Sequence, residues 1–313
     1  MKKACVIGGS RYFGRHLVTL LRDSGVEVTL VNRGSQAPPP GVTHLVADRD
    51  DERDLTTALG SRSFDVVIDQ VCGTPRQAGI AARVFDGRAG RYVMTSTIEV
   101  YDHALSDGVP AAAPGVPMPE EAVDPRLWPA DPGLPWHDPR FLEDNYGEGK
   151  RQAEAVFVAE AAFPFVSVRS GHVMGGGPAD FTGRLAHYTE RVRDGHAVDV
   201  HRENHPSSFI HHTEIAEFLH WAARADFTGA VNARSHGEFD VVELCERIAK
   251  QTETRPVYRV TRGAASPYAF GHYYGMDNGR AARLGFVFSH TADWLPDVIS
   301  EALSSQSPRG TRS

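Results

Sequence analysis

The sequence predicts an α/β fold, a doubly wound parallel sheet followed by a smaller C-terminal domain, and three observations carry that prediction. Short apolar runs alternate with segments of helical period from residue 3 to about 170. The runs are apolar at consecutive positions, as strands covered on both faces require. The first run closes in a glycine-rich turn, IGGSRYFG (Ile7 to Gly14), that opens a helix.

The elements follow in order. ACVIG (Ala4 to Gly8) is a buried strand, and Phe13, Leu17, Leu20 and Leu21 recur at helical spacing up to a stop at Ser24 and Gly25. VEVTLVN (Val26 to Asn32) is the second strand. A third lies around Val42 to Val46, with a helix near Glu52 to Leu59 after it. FDVVID (Phe64 to Asp69), a helix around Gln77 to Phe85 and RYVMTST (Arg91 to Thr97) continue the alternation, which implies right-handed βαβ crossovers. Residues 102–145 break it. This stretch is dense in proline, acidic and without period, and is expected to be a lid, an interface arm or partly disordered. A helix from Tyr146 to about Ala162 and the strand FVSVRS (Phe165 to Ser170) resume the pattern. Shorter elements come next: helices near Phe181 to Arg193, Glu214 to Arg224 and Val241 to Gln251, with a strand SFIH at Ser208 to His211. Residues 1–170 are therefore expected to form the first domain, 171–303 mainly the second, interleaved with the end of the sheet, and 304–313 a disordered tail.

Composition bounds the function. A net charge of −7 with no basic block offers nucleic acid no electrostatic footprint. No stretch approaches membrane-spanning length and no signal-peptide core is present, so a cytoplasmic protein is expected. Cys5, Cys72 and Cys245 are distant from one another in apolar surroundings and read as buried free thiols.

Chemistry concentrates at two places. In the glycine turn, Gly8 makes the tight turn, Gly9 lets the backbone approach a pyrophosphate, and Gly14 lets the helix pack closely on the strand. Arg11 and Tyr12 occupy the middle, where another glycine is usual. Tyr146 and Lys150 stand four residues apart at the start of a helix, on one face. An ammonium beside a phenol favours the phenolate and makes it usable as a general acid or base.

Together with the hydroxyl-bearing strand end MTSTIEVY (Met94 to Tyr101), these features resemble the extended short-chain dehydrogenase/reductase superfamily, the NAD(P)-dependent epimerase/dehydratase type. The resemblance runs from Lys2 to about Phe288 and implies a Rossmann-type nucleotide domain, a C-terminal substrate-binding domain and an enzyme of that type, with possible homodimerisation. It implies a catalytic set of Thr97, Tyr146 and Lys150, with Thr97 rather than Ser96 holding the reacting oxygen. It also implies cofactor contacts from Gly8, Gly9, Ser10, Arg11, Tyr12, Phe13, Gly14, Asn32, Arg33, Asp48, Arg49, Asp69, Gln70, Val71, Thr95, Tyr146, Lys150 and His172, and substrate contacts from Thr97, Glu99 and His172. The second strand ends in Asn32 and Arg33 where NAD enzymes carry an acid, and Arg11 is near, so NADP(H) is favoured over NAD(H).

Departures from the pattern narrow the expectation to a carbonyl reductase or epimerase on a sugar, nucleotide sugar or sugar-like intermediate. Ile98 stands where sugar-nucleotide dehydratases carry the first acid of a pair, leaving Glu99 alone. Ser207 stands where an arginine would clamp a nucleotide diphosphate, with Arg184, Arg191 or Arg202 as substitutes. His211 and His212 are expected on opposite sides of a strand, and no metal site is expected. The turn and the VNRG segment also resemble an atypical branch that includes chloroplast stem-loop RNA-binding proteins. An RNA-binding or NAD(P)-sensing regulator is therefore the alternative.

Overall fold

The computed structural model describes residues 1–305. Twelve strands and ten helices follow in chain order: β1 (Lys3–Ile7), α1 (Tyr12–Asp23), β2 (Glu27–Asn32), β3 (Thr43–Val46), α2 (Glu52–Leu59), β4 (Val66–Asp69), α3 (Pro75–Val84) and β5 (Tyr92–Thr97) come first. Then come α4 (Pro139–Asp144), α5 (Tyr146–Glu160), β6 (Phe165–Ser170), β7 (His172–Met174), α6 (Arg184–Arg193), β8 (Ala197–Val200), β9 (Ser207–His211) and α7 (His212–Ala222). The chain closes with β10 (Gly229–Ala233), β11 (Glu238–Phe239), α8 (Val241–Thr252), β12 (Val257–Val260), α9 (Gly279–Arg283) and α10 (Thr291–Ser305).

Seven strands form one parallel sheet in the order β10-β6-β5-β4-β1-β2-β3. Alternation along β1 shows why it is covered twice. Ala4 and Val6 join the core beneath α1 and α7, while Cys5 and Ile7 join the core beneath α2, α3 and α5. The chain leaves β1 toward β2 and β3 on one side and reaches β4 on the other. This reversal of strand order opens a crevice at the carboxyl ends of β1, β2 and β4, where ligands bind in such sheets. Local chemistry fixes the helix starts: Asp51 accepts from the backbone N–H of Arg53 and Asp54, and Thr74 accepts from Gln77 just before Pro75. All three cysteines are buried and free.

Beyond β6 a second core gathers α6, α8 and α10 with the small sheets β11-β9-β7 and β12-β8. The helix expected from Phe181 starts only at Arg184, because Gly183 takes a left-handed φ of 64°. The helix expected from Glu214 starts at His212, so His211 caps it and the two imidazoles lie 4.5 Å apart. They are not on opposite strand faces. The expected tail falls, from residue 306 on, outside the described residues.

Residues 102–145 carry short helical turns and α4, and they are bonded to the nucleotide domain. Trp128 Nε1 donates to Glu148, the Arg151 guanidinium stacks 5.0 Å from the Trp128 ring, and the Asp131 N–H donates to Gln152. At the centre is a fully buried pair, Glu154 and Arg169, whose guanidinium also donates to the carbonyls of Glu120 and Val123 in the insertion. Burial would raise the Glu154 carboxyl, but Arg169, Ser167 and Ser96 hold it below the ordinary carboxylate value. The insertion covers the outer side of α5, whose residues Gly149 to Phe157 are all buried.

Candidate active site

The glycine turn has the geometry its residues suggest. Gly8 and Gly9 sit at φ 85° and 76°, a region closed to most side chains. A Cβ on Gly9 would lie 2.8 Å from Val6 Cγ1, and one on Gly14 would lie 2.7 Å from Gly9 Cα and collide with the Gln70 amide. Among the described residues helix α1 starts without a side-chain cap, and its first turn borders the crevice. Tyr12 also has positive φ, 49°, and its ring turns away to stack on His212 with centroids 5.8 Å apart.

In front of the turn lies a cavity of about 450 Å³. Ser10, Arg11, Phe13, Asn32, Arg33 and Asp48 line it, with Gln70 and Val71 at its floor. Asn32 Oδ1 accepts from the Gly34 N–H and contacts His44, leaving its buried Nδ2 without a partner among the described residues, like Gln70 Nε2. Arg11 and Arg33 are exposed at the rim and make no ion pair among the described residues; Arg11 lies 5.7 Å from the Phe181 ring. Two expected contacts are placed otherwise. Asp69 is fully buried and bonded to the Arg49 guanidinium, to Tyr92 Oη and to the N–H groups of Val71 and Cys72. Arg49 reaches the cavity wall, but its charge is spent on Asp69. The pair braces the loop after β4 from within. The glycine turn, the helix N-terminus, the amide donors unpartnered among the described residues and the two rim cations together fit a nicotinamide dinucleotide.

At the end of β5, neighbouring hydroxyls part. Ser96 Oγ turns inward to donate to Glu154 at 2.7 Å, whereas Thr97 Oγ1 accepts from the Glu99 N–H at 3.2 Å at the strand's open end. Gly147 explains how α5 comes so near: a Cβ there would run into the Glu99 carbonyl. Lys150 is buried, donates to the Thr95 carbonyl at 2.7 Å and lies 5.6 Å from the Tyr146 ring centroid. Tyr146 is 45% exposed, while the ammonium beside its ring is fixed by the Thr95 carbonyl. Thr95 Oγ1 is buried and has no partner among the described residues.

His172 is set apart from the cavity. It is buried among Phe209, Tyr268, Phe270 and Tyr274, stacked on Phe270 at 5.1 Å. Burial, with Arg184 nearby, pushes it down to about 3, so it is neutral. Glu99 is held by Tyr274 Oη at 2.8 Å, and burial raises its carboxyl despite that hydrogen bond.

Residues 4–105 match the NAD dependent epimerase/dehydratase family. The expected likeness to the NAD(P)-dependent epimerase/dehydratase type is borne out over this segment. No curated protein matches the chain. Among solved structures it is similar to the Bordetella bronchiseptica enzyme WbmG, in complex with NAD and UDP, at 17% identity with a TM-score of 0.71 over 96% of this chain and 93% of that one. It is similar to Thermus thermophilus UDP-glucose 4-epimerase, in complex with NAD, at 17% identity and 0.69 over 96% and 98%. A dTDP-glucose 4,6-dehydratase from Bacillus anthracis, in complex with NAD, shares 12% identity and a TM-score of 0.70 over 96% of each chain. At such identities these likenesses establish the Rossmann-type fold, which the sequence predicted.

Set beside that fold, the departures acquire places. Ile98 is buried in the core of the insertion, so no acid stands there. Ser207 and Ser208 are also buried: Ser207 Oγ donates to the Tyr274 carbonyl at 2.6 Å and Ser208 Oγ to Glu238 at 3.1 Å. Of the three substitute arginines, Arg191 donates to the Ala197 carbonyl and Arg202 is exposed, while Arg184 lies over Tyr268 at 5.4 Å. Tyr268, Phe270 and Tyr274 were not expected in the site. They fall in a stretch without period, and only its density of aromatic residues (SPYAFGHYYG) signals them.

Proposed function

We propose that the protein is an NADP(H)-dependent oxidoreductase, a carbonyl reductase or epimerase, acting on a sugar-type substrate through Thr97, Tyr146 and Lys150. The observation that carries this reading is the fixed Lys150 ammonium beside the exposed ring of Tyr146, on the helix packed against the strand end that carries Thr97.

The residues divide the work by chemistry. The nicotinamide, when bound, supplies or takes the hydride. Gly8, Gly9 and the N-terminus of α1 hold the pyrophosphate, with Ser10 and Phe13 beside it, and Gln70, Val71 and Thr95 border the remainder. Asn32, Arg11 and Arg33 receive the adenosine ribose, the two guanidinium groups pairing with a 2′-phosphate, and Asp48 lies at the adenine end. Thr97 donates a hydrogen bond to the substrate oxygen. Tyr146 moves the proton on that oxygen, with the Lys150 ammonium held beside its ring by the Thr95 carbonyl.

Substituting Tyr146→Phe keeps the ring over Lys150 and removes the proton. Ketone-dependent loss of NADPH absorbance is expected to fall about 10²- to 10⁴-fold, with NADPH affinity unchanged. Unchanged turnover would contradict the mechanism.

A further inference from the structure

Four imidazoles and a carboxylate gather where three segments join: Asp102 and His103 at the start of the insertion, His201 and His205 after β8, and His272 in the aromatic stretch before α9. The His103 and His272 rings lie edge to face with centroids 4.4 Å apart. A Cβ on Gly271 would lie 3.5 Å from the His201 ring, and the His205 N–H donates to the Phe270 carbonyl at 3.0 Å. His272 Nε2 is buried with no hydrogen-bond partner among the described residues. Asp102 Oδ1 stands 3.7 Å from it, beyond hydrogen-bond distance, and already accepts from the Ala104 N–H.

The proposed mechanism leaves these side chains unused, yet they close a junction. Tyr274, two residues after His272, donates through Oη to Glu99 at 2.8 Å, and its N–H donates to the Pro206 carbonyl at 3.1 Å. Of the other ionisable groups on these segments, Arg202 and Glu203 are exposed and Tyr273 donates to Glu238. We propose that the cluster is an acid-sensitive latch: it holds the His272 segment on the turn that carries Glu99 while His272 is neutral, and releases it when His272 takes up a proton.

The direction follows from the surroundings. Burial disfavours the imidazolium, Asp102 favours it, and His103, His205 and His201 oppose it, so His272 is held below its ordinary 6.5. One unbonded carboxylate is outweighed. The released segment, in water, binds the proton more readily than the closed one; the contact is therefore fully present above pH 6.5 and weakens as pH falls below it. Release parts Tyr274 from Glu99, two residues from Thr97. The latch stands apart from the oxidoreductase reading, and only its effect on turnover rests on that reading.

The test is hydrogen–deuterium exchange mass spectrometry of the full chain at pH 7.5 and 5.5, without dinucleotide and corrected for intrinsic exchange. Segments 98–105, 201–207 and 268–275 are followed against β5. One proton taken up near 6.5 shifts the opening equilibrium by about tenfold at most over that interval, so about five- to tenfold loss of protection is expected in the three segments while β5 stays protected. In His272→Phe and His272→Gln the loss is expected to stay below about twofold. Equal loss in wild type and both variants, or no loss in wild type beyond that in β5, would overturn the latch. Variants already unprotected at pH 7.5 would overturn it too, since neutral His272 would then act by packing rather than by charge. None of these outcomes involves the dinucleotide, so failure of the oxidoreductase reading is separable from failure of the latch.

Discussion

Two side chains show how far local environment decides a residue's role. Ser96 and Thr97 are adjacent and chemically alike, yet strand alternation sends one hydroxyl to a buried carboxylate and leaves the other at the open end of the sheet. The sequence motif was enough to favour Thr97, because its spacing to the following segment is legible. His172 shows the opposite case. Its position after β6 was legible, but its aromatic surroundings come from residues nearly a hundred positions later. Those surroundings make a pH prediction. The folded imidazole is pushed down to about 3 from the ordinary 6.5, so the unfolded chain binds the proton more readily. The His172 contribution is present above pH 6.5 and is lost as pH falls toward 3, at about 1.4 kcal/mol per unit. Urea unfolding of wild type and His172→Phe at pH 7.5 and 5 is expected to show about 2 kcal/mol less acid destabilisation in the variant. Equal pH dependence in both proteins would remove His172 as the cause.

At the scale of elements, the insertion is the feature that period-based reading served least. Proline density and acidity suggested a lid, an arm or disorder, since no hydrophobic repeat marks a fold. Its order comes from polar partners invisible in a local pattern: Arg169 on β6 reaches the carbonyls of Glu120 and Val123, and Glu120 accepts from the Asn232 N–H on β10. Arg169 and Glu154 are both fully buried, so losing one leaves the other charge uncompensated. Glu154→Ala is expected to lower unfolding free energy by about 3–5 kcal/mol and to raise proteolysis within 102–145. A variant as stable as wild type, with the insertion still protected, would show that the pair does not anchor this segment. From β1 to β6, outside the insertion, helix and strand identities were legible because that part is built from local caps and both-face burial, whereas β7, β8, β10, β11, β12, α9 and α10 were not predicted. The starts of α6 and α7 shifted by two or three residues, where Gly183 and His211 set boundaries that apolar spacing does not encode.

For the whole molecule, a sheet reversal and a glycine turn place one crevice at the carboxyl ends of the strands, and the proposed preference for NADP(H) rests on the charge at its rim. Much of that was readable: the turn, Asn32 and Arg33 at the end of β2, and the Tyr146 and Lys150 pair all lie within single elements. What was not readable was which acidic groups point elsewhere, and Asp69 and Arg49 neutralise each other inside the domain rather than facing the cavity. Arg11 and Arg33 then remain as the free cations at the rim among the described residues. The most direct measurement is a fluorescence titration of the full chain with NADPH and NADH, repeated on the Arg11→Ala, Arg33→Ala double variant. Two guanidinium–phosphate pairs at about 1.5–3 kcal/mol each predict tighter binding of NADPH than NADH by at least tenfold in the wild type, with that preference lost in the variant. A wild type that prefers NADH, or that binds neither dinucleotide, would contradict the account.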